Sequence, residues 1–84
     1  MKYFVYMIQT KINDKNITYV GYTNNLIKRI ALHNSSKGAK FTKGKIWNLI
    51  YFKQFVSKNL AMKYEYKLKK DNYLRTKIKK IYEK

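Results

Sequence analysis

Apolar and polar stretches alternate along the chain so as to mark out six elements. Tyr3 to Gln9 is a continuous apolar, β-prone run (Tyr-Phe-Val-Tyr-Met-Ile-Gln) of the kind a buried strand shows. The turn formers Asn13-Asp14-Lys15-Asn16 interrupt it, and the strand pattern resumes from Ile17 to Tyr22, which predicts a β-hairpin. Thr23, Asn24 and Asn25 are each able to cap a helix, and Leu26, Ile27, Ile30 and Ala31 then follow at helical spacing, with the helix ending near His33. Asn34 to Lys45 is a polar, basic loop holding Gly38 and Gly44. Trp47 to Phe55 predicts a third strand, centred on Leu49 to Phe52 and anchored in the core by Trp47. Ser57 is placed to cap a second helix with Leu60, Tyr64 and Leu68 at i, i+4 and i+8. Asp71-Asn72 predicts a break and a new cap, and Leu74, Ile78 and Ile81 line the inner side of a last basic helix. The expectation is one α+β domain over residues 1–84: a small, three-stranded, mainly antiparallel sheet flanked by helices, in the order β-β-α-β-α-α.

Composition narrows the compartment and the partner. The chain has no cysteine, hence no disulfide and no thiolate metal site, which suits a reducing compartment. Its N-terminal apolar run, Tyr3 to Ile8, is too short for a secretory signal or a membrane span. A cytoplasmic protein with no membrane association is expected. Twenty Lys and Arg against four Asp and Glu leave a net charge of +16. Such a chain repels itself and is most easily tolerated beside a polyanion, so nucleic acid is the expected partner. Compositional bias can favour Lys over Arg, but it does not explain the near absence of acids.

Candidate chemistry gathers where the second strand runs into the first helix. Counting about 100° per residue from Leu26, the apolar set spans roughly 0° to 140°, and Arg29 and His33 fall at roughly 300° and 340°. Both are therefore expected at the rim of the helix–sheet contact, as is Glu65 on the second helix. Taken singly, each residue has an ordinary reading: Tyr6 and Tyr19 as half-buried strand tyrosines, Arg29 as a solvated cation, His33 as a partner of the helix dipole, Glu65 as the acid of an i, i+4 pair with Lys69. The combination reads differently. Glu65 is the only acid within a well-patterned helix of an acid-poor chain, and a Mg²⁺ site for phosphate chemistry needs at least one carboxylate, with waters completing the octahedron.

Phe4-Val5-Tyr6, Tyr19-Val20-Gly21, Arg29 and His33 on the next helix, and Glu65 on a later one form an ordered set. Over essentially the whole chain it resembles the GIY-YIG nuclease family. The stretches Gly21 to Leu26 and Lys37 to Gly44 are most similar to its short stand-alone bacterial branch, related to the catalytic domain of Slx-type endonucleases. The set departs from the literal motif in Phe4, which stands for a glycine, and in the two valines, which stand for isoleucine. The resemblance implies metal-assisted hydrolysis of phosphodiester bonds in DNA, structure-selective or weakly selective, with one Mg²⁺ (or Mn²⁺) held by Glu65. It implies that Tyr19 is the general base, that Tyr6 positions the water or the phosphate, that Arg29 stabilises charge on the phosphate, and that His33 handles a proton or touches the phosphate. Gly21 is expected to let the chain turn closely past the phosphate. Lys28, Lys40, Lys43 and Asn72 are candidate nucleic-acid contacts, and a protein partner could supply targeting. Two other readings use the charge alone: an inactive nucleic-acid-binding module, and a small ribonucleoprotein component. Neither needs the pairing of Arg29 with Glu65.

Overall fold

The computed structural model describes residues 2–83. Three strands, β1 (Tyr3–Ile12), β2 (Lys15–Thr23) and β3 (Asn48–Phe55), and three helices, α1 (Leu26–Asn34), α2 (Lys58–Lys70) and α3 (Asn72–Glu83), follow one another as β1-β2-α1-β3-α2-α3. This is the expected α+β order, and every strand pairing is antiparallel. The most apolar strand takes the centre, giving a sheet order β2-β1-β3. The hairpin is tighter than its polar cluster suggests. Asn13 and Asp14 turn the chain alone, at φ of 51° and 66°, and Ile12 pairs with Lys15. Positive φ at both central residues is what a two-residue hairpin of the right twist requires.

Residues alternate across β1, so its two faces build two cores. Val5 and Met7 face α2 and α3, packing with Val20, Ala61, Leu68 and Ile78. Tyr6 and Ile8 face the other way, against Trp47, Leu26, Ile30 and Leu49. A register shift between β1 and β3 keeps this division. Met7 pairs with Tyr51 but Ile8 with Leu49, so Ile50 is the extra residue of a bulge. The bulge lets Ile50 and Tyr51 both join the first core while Leu49 serves the second.

The inward helix faces are the expected ones except at a residue or two of each helix. On α1 the stripe is Leu26, Ile30 and His33, and Ile27 is 85% exposed. Hydropathy favours burying Ile27 over a histidine; the structure buries the histidine because both its ring nitrogens find partners there, which removes the penalty on a buried polar group. On α2 the buried positions are Ala61 and Leu68, with Leu60 at the surface. On α3 it is Ile78, with Ile81 outside. Three caps are clear. Asn25 Oδ1 accepts from Lys28 N–H, Ser57 Oγ from Leu60 N–H, and Asp71 Oδ1 from Leu74 N–H. The α3 cap is thus Asp71 and not Asn72. Arg75 closes the α2–α3 corner by donating to the carbonyls of Leu68 and Lys69 at the end of α2.

Candidate active site

The second core carries a buried polar chain. Tyr6 lies opposite Gly21 in the β1–β2 ladder and its ring crosses that glycine. A Cβ on Gly21 would stand 2.7 Å from the Tyr6 Cζ and closer still to the hydroxyl. Gly21 therefore makes room for Tyr6, a tighter constraint than the approach to phosphate expected of it. Beyond the glycine, the Tyr6 oxygen sits 2.7 Å from His33 Nε2. His33 Nδ1 in turn sits 2.8 Å from Thr42 Oγ1. Tyr6, His33 and Thr42 are all essentially inaccessible to water. His33 is thus central to the α1 face and not at its rim.

The partners favour one arrangement of the protons. Thr42 Oγ1 donates its single proton to the Ala39 carbonyl at 3.0 Å and accepts the Ala39 N–H at 3.2 Å. It is left to accept from His33, so Nδ1 carries the imidazole proton and Nε2 presents a lone pair. Tyr6 O–H then donates to Nε2. Burial lowers the His33 pKa below its ordinary 6.5, helped by the Arg29 charge, so the ring is neutral near pH 7. Burial likewise raises the Tyr6 phenol above 10.0; hydrogen bonding and charge from Arg29 oppose this, and the charges of Tyr19 and Glu65 add smaller upward pushes.

The loop between α1 and β3 is built to hold this chain. Asn34, the last residue of α1, accepts the Trp47 N–H at 2.6 Å and donates to the Trp47 carbonyl at 3.2 Å. The Trp47 indole N–H donates to the Thr42 carbonyl at 3.0 Å, and Trp47 is 2% exposed, as expected of a core anchor. Gly38 lies so close to His33 that a Cβ there would come within 2.9 Å of the His33 Cα and nearer to its ring. At Gly38 the loop backbone thus lies close against His33, with Thr42 buried and Lys40 and Lys43 exposed.

Arg29 connects the buried chain to the surface. Its Nε–H donates to the Tyr6 oxygen at a long 3.4 Å. The same side chain lines an open cleft of about 430 Å³ with Tyr3, Tyr22, Thr23, Asn24 and Lys58. It also lines a smaller one of about 220 Å³ that includes Lys28. Tyr19 abuts the chain from β2. Its ring meets His33 edge-on at 5.2 Å between centroids and stacks on Phe41 at 6.1 Å. Glu65 pairs with Lys69 at 3.5 Å, its side chain 18% exposed. Lys69 and Tyr19 both line a third cleft of about 280 Å³, on the outer edge of β2. Arg29, Tyr6, His33 and Tyr19 are therefore contiguous, and the charge of Glu65 reaches Tyr6. Asn72 Oδ1 accepts from Arg75 at 3.4 Å, and Arg75 lines the same cleft as Tyr19 and Lys69.

Sequence reasoning did not single out Thr42, Gly38, Tyr22 or Lys58. The first two fall in the Lys37–Gly44 stretch already notable for its resemblance to the family, which was the available signal. Tyr22 and Lys58 had none beyond charge and proximity to a cap.

A small antiparallel sheet whose two signature tyrosines, helical arginine and histidine meet at one strand–helix junction defines a class. The chain belongs to the GIY-YIG nuclease family: the GIY-YIG catalytic domain matches it over residues 2–79. Within that class it is similar to UPF0213 proteins, short bacterial members. It is 42% identical over 81 residues to UPF0213 protein YazA of Bacillus subtilis, covering 95% of this chain and 76% of that one. It is 39% identical over 69 residues to UPF0213 protein OB0043 of Oceanobacillus iheyensis, covering 81% and 77%. The solution NMR structure of UPF0213 protein BH0048 from Bacillus halodurans superposes with a TM-score of 0.53 at 32% identity, over 96% of this chain and 85% of that one. Membership implies a nucleic-acid substrate. Among the described residues no three His, Cys, Asp or Glu side chains form a metal cluster, and no helix is long and apolar enough to cross a membrane.

Proposed function

We propose that the protein is a divalent-metal-dependent endonuclease that hydrolyses phosphodiester bonds in DNA with structural or weak selectivity. The observation that carries this is the Arg29–Tyr6–His33–Thr42 chain, a hydrogen-bonded path from a buried imidazole to a cation at its open end. Structural packing alone has no use for a buried imidazole whose free lone pair receives a phenol proton.

Arg29 binds the phosphate. Its bond to the neutral Tyr6 oxygen is long and weak, and it exchanges readily for a charge-assisted bond to a phosphate oxygen. That movement uncovers the Tyr6 oxygen and pairs off the positive charge that helps hold the His33 pKa down. Water then gives a proton to the Tyr6 oxygen as Tyr6 passes its own to His33 Nε2, and the hydroxide formed attacks phosphorus. The imidazolium keeps its Nδ1–H on Thr42. The base role expected of Tyr19 thereby passes to the Tyr6–His33 pair. Tyr6 has an acceptor for its proton at 2.7 Å, whereas the contacts of Tyr19 are rings that dry and orient His33.

Glu65 fits a single hard divalent ion. It is a carboxylate held partly out of water, close enough for its charge to act on Tyr6, and one carboxylate suffices for Mg²⁺, which keeps several waters. Glu65 would hold the ion in exchange for Lys69, and the ion, when bound, supplies positive charge to the leaving oxygen. Lys28, beside Arg29, and the exposed Lys40 and Lys43 serve the flanking phosphates.

The test is cleavage of end-labelled branched and linear DNA with Mg²⁺ or Mn²⁺. Arg29→Ala and Glu65→Gln each lower the rate by about 10²–10³ in this account, as loss of one transition-state contact does elsewhere. Cleavage unaffected by Glu65→Gln would remove the metal role. Binding by every variant with no cleavage by wild type would favour the inactive-module reading.

A further inference from the structure

Phe41 is 52% exposed, yet it is held in place. One side of its ring stacks on Tyr19 at an interplanar angle of 20°, and it leans on buried Trp47 at 6.1 Å. Lys45 Nζ lies over the ring in a distant cation–π contact, 5.5 Å from its centroid and held by a 3.1 Å bond to the Phe41 carbonyl. Lys40 and Lys43 flank the ring along the loop, which carries no acid between Asn34 and Trp47. A large aromatic left half in water, braced from beneath and ringed by cations, matches no need of the core. Aromatic contact continues inward, from Phe41 stacked on Tyr19 to Tyr19 edge-on against His33.

We propose that Phe41 is a stacking platform for one unpaired nucleobase, with Lys40, Lys43 and Lys45 holding the phosphates on either side. The incoming base exchanges the Lys45 cation–π contact for its own stack while the amine turns to a phosphate. This rests on the nuclease reading above and deepens it: the substrate presents an unpaired nucleotide next to the bond that is cut. A base in a duplex has both faces covered by its neighbours, whereas a splayed base offers a free face to a ring. Aromatic stacking tolerates any base, so the selectivity this platform confers is for unpaired structure and not for sequence.

The experiment is equilibrium binding of fluorescent single-stranded and duplex oligonucleotides by wild type, Phe41→Ala and Phe41→Trp, with 2-aminopurine in the single strand reporting stacking. Phe41→Ala is expected to weaken single-strand binding by roughly 5- to 100-fold and to abolish the 2-aminopurine quench, as loss of one base–aromatic stack does. Duplex binding, carried by the lysines, stays as in wild type, and Phe41→Trp restores both single-strand signals. Equal losses on single strand and duplex, or no loss on either, would overturn the platform while leaving the nuclease reading intact. Absence of any binding by wild type would overturn both.

Discussion

Two glycines and one threonine set the chemistry of the second core. Gly21 and Gly38 act through the atoms they lack, admitting the Tyr6 and His33 rings to places a methyl group would fill. Gly21→Ala must displace the Tyr6 ring; chemical denaturation is expected to show about 1–3 kcal/mol of lost stability, the usual penalty of overpacking. His33 provides a second check at this scale. Its pKa in the folded chain lies below 6.5, so the unfolded chain takes up the proton first as the pH falls. Stability due to the neutral ring is therefore complete above 6.5 and declines below it, until the folded value is passed. As His33 is the sole histidine, wild type should melt lower at about pH 5.5 than at about pH 7.5, and His33→Gln should flatten that difference. Tyr6 and His33 were legible because ordered motif residues stand out among Lys, Asn and Ile. Thr42 was not, because a threonine in a polar loop has no hydropathy signature until the fold puts an imidazole above it.

At the scale of elements, the long α1–β3 connection behaves as a built part of the site. It is clamped at its base by Asn34 on the Trp47 backbone and at its middle by the Trp47 indole on Thr42. Asn34→Ala leaves the Trp47 N–H and carbonyl without these partners and should cost about 1–3 kcal/mol, the penalty for stranded polar groups. Amide exchange should quicken through residues 35–46 more than in the sheet if the clamp orders the loop. The six elements, their order and the Ser57 cap could all be read from apolar periodicity and turn chemistry. The inward faces of α2 and α3 were mostly legible too: Tyr64, Leu68, Leu74 and Ile78 pack as their spacing predicts, and only Leu60 and Ile81 turn outward. The face of α1 was legible in Leu26 and Ile30 alone, because packing buries His33, whose ring nitrogens both find partners, and leaves Ile27 outside. The bulge at Ile50 was equally hidden, since a run apolar on both faces carries no parity.

The whole molecule divides its labour between the two faces of one sheet. The α2–α3 face supplies most of the aliphatic core, while the α1 face holds the buried Tyr6–His33–Thr42 chain. The charge of +16 favours a polyanionic partner, and Glu65 on α2 is a carboxylate whose charge acts on Tyr6. What makes this a catalyst, in our account, is the proton path through Tyr6 to His33, and one atom tests it. Tyr6→Phe keeps the ring in the Gly21 slot and removes only the oxygen. Single-turnover cleavage of labelled DNA with Mg²⁺ should fall by about 10²–10⁴, the usual worth of a general acid–base group, with DNA binding unchanged. A Tyr6→Phe protein that binds and cuts at the wild-type rate would contradict the account.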